Sequence, residues 1–250
     1  MEHLPADEYL RIRKKNASRN FVVNPTLKAN LAVEVKGKRV LDVGCGNGSL
    51  TLKLVEEWGA SEAIGVDTSA EMIITAKSSN PDGKPVTFVR VSALDLQSKD
   101  EFDVAIAIFM LQLTSSVEEL SKVLQKIAQS LKPGGTFFAY VPNGIPDLKT
   151  SEEDKVKFGV QLVMNPGPRH DGEQIKIAFY INGRPAVEST MTFFFRETYE
   201  KCLREAGFGQ IQWINPIVSE DGITACGKEF FESYLNPPID IMFRAVLEAN

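Results

Sequence analysis

Asp42, Gly44, Gly46 and Gly48 stand on alternate positions in the run Val40-Leu41-Asp42-Val43-Gly44-Cys45-Gly46-Asn47-Gly48-Ser49. Their types limit what they can hold. Glycines permit a tight turn with positive φ, and having no Cβ they let a ligand come close to the backbone. A dinucleotide loop places its third glycine three positions after the second and seats a pyrophosphate on the following helix. Here the third glycine comes after two positions, and Asp42 ends the apolar strand close to where that phosphate would lie. An anion there repels phosphate and attracts a cation. No Gly-Lys-Ser/Thr follows, which excludes a P-loop. The pattern suits a nucleoside that carries a positive charge and no phosphate.

A second carboxylate, Asp67, closes the apolar run Glu62 to Val66. It lies nineteen positions beyond Gly48, about where a doubly wound fold puts the acceptor for ribose hydroxyls. Capping the next helix is the plain alternative for Asp67, and Thr68 or Ser69 could do that as well.

Asp42 to Gly48 resemble the first motif of class I S-adenosylmethionine-dependent methyltransferases, E/D-x-G-x-G-x-G, at every fixed position. Their ligand is a sulfonium nucleoside, converted to S-adenosylhomocysteine. Asp67-Thr68-Ser69-Ala70-Glu71-Met72 resembles the second motif, in which the acid holds the ribose and a residue such as Met72 packs on adenine. Where the family commonly carries an adenine-reading Asp, this chain has Ser92, followed by Ala93. The serine hydroxyl can accept from the adenine amino group and the Ala93 N–H can donate to the ring. Leu131 to Gly135 before a strand is a further resemblance. The implied cofactor-binding set is Asp42, Gly44, Cys45, Gly46, Gly48, Asp67, Thr68, Met72, Ser92, Ala93 and Phe109, with Cys45 a small filler. The segment from Asp221 to Pro238 also resembles toxoflavin-type methyltransferases, which act on nitrogen of a small heterocycle.

Methyl transfer from a sulfonium is a direct displacement, so it needs in-line placement and exclusion of water, with a base only for acceptors that must lose a proton. His3 stands near the terminus, and His170 lies in a turn-like run, Pro168 to Gly172. His170 reads as a surface turn or a base on a lid loop. Tyr180 is a second catalytic candidate, and Gln161, Trp213 and Tyr234 are pocket candidates. No cysteine is arranged as a nucleophile.

The elements that must position these groups alternate strand and helix. Strands are expected at Val40–Val43, Glu62–Val66, Val86–Val91, Phe102–Ile108 and Thr136–Val141, with helices near 49–58 and 117–131. The near-continuous apolar run at 102–108 reads as a buried parallel strand. Its end, Phe109-Met110-Leu111-Gln112, faces the ligand by the rule that sites lie at the carboxyl ends of such strands. From 142 to 195 the rhythm breaks into strands near 159–163, 174–182 and 187–195, the last two joined at Asn182-Gly183. A helix at 196–206, strand 211–216, helix 227–235 and strand 239–246 follow. At the start, helices are expected at 4–19 and 25–35, the second with Asn24 as N-cap and Pro25 in its first turn.

The expected fold is α/β: a Rossmann-like, doubly wound, mostly parallel seven-stranded sheet with an antiparallel β insertion after strand five. Residues 1–37 form an N-terminal helical lid that can bring Tyr9, Arg13 and Phe21 to the ligand. Residues 38–250 form the methyltransferase domain, with 142–195 as a β cover over the acceptor site.

A chain 43% hydrophobic and 24% charged is an ordinary globular protein, and a net charge of −5 with no basic block argues against a nucleic-acid partner. Nothing resembles Asn/Asp-Pro-Pro-aromatic at the end of strand four, where nucleic-acid amino-methyltransferases carry it. Three cysteines without metal-ligand spacing suit a reducing cytoplasm and no metal. No stretch reads as a signal peptide or membrane span. The expectation is a cytoplasmic monomer or homodimer that methylates nitrogen or oxygen of a small-molecule acceptor. A protein or peptide substrate, or a binding module without catalysis, is the alternative.

Overall fold

The computed structural model describes residues 16–80, 83–148, 150–181 and 183–249. The part of the expected lid that holds Tyr9, Arg13 and His3, with most of the expected 4–19 helix, lies outside them. A π-helical turn, Arg19–Val23, runs straight into helix α1, Asn24–Leu31. Strand β1 (Arg39–Val43), helix α2 (Ser49–Glu56), strand β2 (Glu62–Asp67), helix α3 (Ala70–Ser78), strand β3 (Val86–Arg90), strand β4 (Phe102–Ile108), helix α4 (Val117–Ser130) and strand β5 (Leu131–Pro142) follow. Helix α5 (Glu152–Phe158) leads to strands β6 (Val160–Val163), β7 (Glu173–Ile181) and β8 (Arg184–Phe193). The chain closes with helix α6 (Arg196–Glu205), strand β9 (Phe208–Ile214), helices α7 (Glu220–Cys226) and α8 (Glu232–Leu235), and strand β10 (Asp240–Leu247).

The main sheet has the order β3-β2-β1-β4-β5-β10-β9, with β10 antiparallel to both neighbours and the others parallel as paired. The order reverses between β1 and β4. Alternate side chains on each strand feed two cores. Leu41, Ala105 and Phe137 face α4 and α6, whereas Val40, Val104 and Phe138 face α1 to α3. Helix α4 buries Leu120, Val123, Leu124, Ile127 and Ala128, the i, i+3, i+4 spacing of one face. Strands β6, β7 and β8 form a separate antiparallel sheet over a third core around Phe158, Phe231 and Tyr234.

Asn24 is not an N-cap. Val23 is already helical and the Asn24 N–H donates back to Arg19 O, five residues earlier. The π turn suits Pro25, which lacks an N–H and would crowd the carbonyl four residues before it, Phe21 O. That carbonyl instead accepts from Ser219 N at 2.8 Å, tying the N-terminal helix to the start of α7. Helix α4 ends at Ser130 and strand β5 begins at once at Leu131, running through Lys132-Pro133-Gly134-Gly135, while β9 begins at Phe208. Helices α5 and α7 were not expected. Their signals were the Ser151/Asp154 capping box and the Ser219 cap.

Candidate active site

A cavity of about 610 Å³ opens at the carboxyl ends of the parallel strands, across the β1/β4 reversal. The glycine loop forms its floor. Gly44 N and Cys45 N both donate to Val66 O, at 2.8 and 3.0 Å, which folds the loop over the end of β2. Gly46 has φ +56, and the space a Cβ would take there is empty and on the cavity. Asp42 is 2% exposed and accepts from the Thr51 hydroxyl at 2.7 Å. Asp67 Oδ2 accepts from Gly46 N at 2.9 Å and Oδ1 from Ser69 N at 2.8 Å. Helix α3 is capped by Ser69, whose hydroxyl accepts from Met72 N, so Asp67 is not its N-cap.

Ser92 and Ala93 sit on the wall at a 3₁₀ turn, where the Ser92 hydroxyl accepts from Leu94 N at 3.2 Å. Phe109 takes φ +58, unusual for an aromatic residue, and its N–H donates to Tyr140 O at 2.8 Å. The Arg19 guanidinium lies 5.8 Å from the Phe109 ring centroid. Strands β6 to β8 supply an apolar wall through Val160, Leu162, Ile177, Phe179 and Met191.

Residues 40–135 match the family model described as a methyltransferase domain. The chain is 24% identical over 198 residues to trans-aconitate 2-methyltransferase of Azoarcus sp. (strain BH72), covering 78% of this chain and 74% of that one. Ubiquinone biosynthesis O-methyltransferase of Dechloromonas aromatica (strain RCB) is 33% identical over 118 residues, 46% of this chain and 49% of that one. The S-adenosylmethionine dependent methyltransferase from Mesorhizobium loti superposes with a TM-score of 0.64 at 22% identity, covering 94% of this chain and 99% of that one. Residues 40–135 carry a methyltransferase domain.

The cavity fits S-adenosylmethionine on its own geometry. A ligand can reach the backbone at Gly46, and the Asp42 and Asp67 carboxylates on the same floor favour a cation and can accept hydroxyls. Ten of the eleven residues expected around the cofactor line this one cavity. Gly48 does not. A Cβ there would meet Phe88 Cζ at 2.5 Å, so this glycine lets α2 close onto β3. Cys45 is a buried filler beneath Gly65, and burial pushes its thiol up, with the Asp42 and Asp67 carboxylates adding to it.

Neither catalytic candidate reaches the methyltransferase's cavity. The His170 side chain is 72% exposed on its turn, 3.8 Å from Glu173 Oε2. Tyr180 falls on the face of β7 opposite Phe179, donates to Gln161 Oε1 at 2.9 Å and stacks under Lys155. Trp213 donates to Glu200 Oε1, and Phe21 packs on Phe231. Tyr234 does line the cavity. It donates to Asp240, a carboxylate that sequence reasoning missed. The available signal was topological: an antiparallel strand starts where its parallel neighbours end, so the first residue of β10 reaches the cavity rim. Among the described residues no cluster of His, Cys, Asp and Glu could hold a metal ion, and no helix is long and apolar enough to cross a membrane.

Proposed function

We propose that the protein transfers the methyl group of S-adenosylmethionine to nitrogen or oxygen of a small-molecule acceptor. The observation that carries this is one continuous cavity with two chemically different ends. One end holds the glycine loop with Asp42 and Asp67, and the other is walled by the apolar faces of β6 and β7. In this reading Asp42, Gly44, Cys45, Gly46, Asp67, Thr68, Met72, Ser92, Ala93 and Phe109 hold the cofactor. Asp67 has lone pairs left for the two ribose hydroxyls after accepting from Gly46 and Ser69.

The bound cofactor supplies an electrophilic methyl group. The protein's part is then to orient the acceptor against it and to keep water out. Residues 142–195 act as the cover, and the N-terminal segment 1–37 acts as a lid through Asn16, Ser18, Arg19 and Val23 on the cavity wall. The relatives support a small acceptor, since one is named for trans-aconitate and another for an O-methylation in ubiquinone biosynthesis. Calorimetric titration with S-adenosylmethionine, S-adenosylhomocysteine and NADH tests the cofactor end. Micromolar binding of the first two alone is expected, and binding of NADH instead would overturn the reading. Product release on a panel of aromatic amines, heterocycles and phenols then tests the acceptor end.

A further inference from the structure

We propose that Asp240, braced by Tyr234, takes the proton from a protic nitrogen or oxygen of the acceptor, so that the substrate is a largely apolar small molecule bearing an N–H or O–H nucleophile. This rests on reading the cavity as a methyl-transfer site.

The first argument is placement. Asp240 pairs with Pro142 at the start of β10, and Ile108 pairs with Tyr140, so Asp240 stands on the rim just beyond the end of β4. Two strand spacings, roughly 10 Å, separate β10 from β4 across the sheet. That gap fits an acceptor of one or two rings between Phe109 and Asp240, both of which line the cavity.

The second argument is chemistry. The cavity wall carries the apolar side chains of Leu162, Ile177, Met191 and Ile239, with Arg19 and Gln112 among its polar groups. Asp240 Oδ2 accepts from the Tyr234 hydroxyl, and Oδ1 accepts no hydrogen bond among the described residues. Gln112, 7% exposed and on the same cavity, holds an Oε1 with no partner. Both unfilled atoms are acceptors, so a ligand that brings donors completes them. The charged and titratable groups facing Asp240 are Tyr234 on α8, Tyr140 on β5 and Arg19 on the π turn. Burial pushes the Asp240 carboxyl up to about 7, against the Tyr234 hydrogen bond and the Arg19 charge, which poises it to exchange a proton near neutrality.

The step balances. The acceptor's lone pair forms the bond to the methyl carbon, the carbon–sulfur bond breaks with its pair left on sulfur, and the N–H or O–H proton passes to Oδ1. The sulfonium charge and the carboxylate charge vanish together, and the carboxyl later releases its proton to water.

The test uses the 250-residue protein and its D240N and Y234F variants. The panel is phenol, benzimidazole and aniline with their fully methylated counterparts anisole, 1-methylbenzimidazole and N,N-dimethylaniline, and S-adenosylhomocysteine release is followed from pH 5.5 to 9. Turnover confined to protic members is expected, with kcat/KM rising to a plateau above about pH 7. D240N should lose about 100-fold or more in kcat, with KM changed less than about 3-fold, unaltered S-adenosylhomocysteine binding, and no inflection. Y234F should move the inflection upward. A D240N enzyme with wild-type kcat and the same inflection overturns the assignment. Turnover of the methylated members, or of no protic member by a protein that binds S-adenosylhomocysteine, overturns the substrate class. Failure to bind either sulfur nucleoside would instead sink the underlying reading of the cavity.

Discussion

The N–H of Gly46 donates to Asp67 Oδ2 at 2.9 Å. The end of β2 thereby braces the centre of the glycine loop, and the carboxylate that shapes the floor is the one proposed to hold the ribose. With that role, loop geometry and ligand affinity would be coupled through this one side chain.

Asp67→Ala removes both functions. Cofactor affinity is expected to fall by ~1–3 kcal/mol, the worth of hydrogen bonds to a charged group. Calorimetry with S-adenosylhomocysteine reads it, and unchanged affinity would discard the ribose role.

Gly46 and Gly48 should separate binding from folding. Alanine at Gly46 meets no protein atom but is strained at φ +56 and fills the cradle. It should cost about 1–2 kcal/mol of stability and a larger share of cofactor affinity. Alanine at Gly48 drives into Phe88 and should cost roughly 1–3 kcal/mol in packing on top of the same strain. Thermal melts with and without cofactor distinguish the two. Equal melting temperatures for both variants without ligand would contradict the packing role of Gly48.

Asp240 gives stability a pH signature. Its carboxyl is raised to about 7, so between the usual carboxylate range and that value the folded chain binds the proton more tightly than the unfolded chain does. Stability from this group is therefore lost as pH rises through that window and stays lost above it. Asp240→Asn should melt higher than wild type at pH 8, by ~1–3 kcal/mol after allowance for its cavity-facing exposure, and should match wild type near pH 4. A difference independent of pH would refute the shifted carboxyl.

His170→Ala is expected to leave kcat, KM and pH profile unchanged, and stability within about 0.5 kcal/mol, because the ring lies on an exposed turn. A large loss of kcat would return His170 to the mechanism.

The cofactor end was legible in the sequence because it is local. Asp42 to Gly48 are contiguous, their glycines prescribe a turn, and Asp67 ends the next strand, so parallel pairing of β1 with β2 brings the two together. Strand and helix periodicity placed the sheet for the same reason. Pro25 misled, because a proline that opens a helix and a proline absorbed by a π turn look alike without Ser219, a residue far along the chain that takes up the freed Phe21 carbonyl. The end proposed for the acceptor belongs to tertiary structure alone. Asp240, Tyr234, Gln112 and Arg19 share no motif, and what joins them is an antiparallel β10 inserted between β5 and β9, which sets its first carboxylate on the rim. Residue types and spacing determined what the loop can bind. Which side chains gather at the other end of the cavity was decided by long-range pairing, which no short stretch encodes.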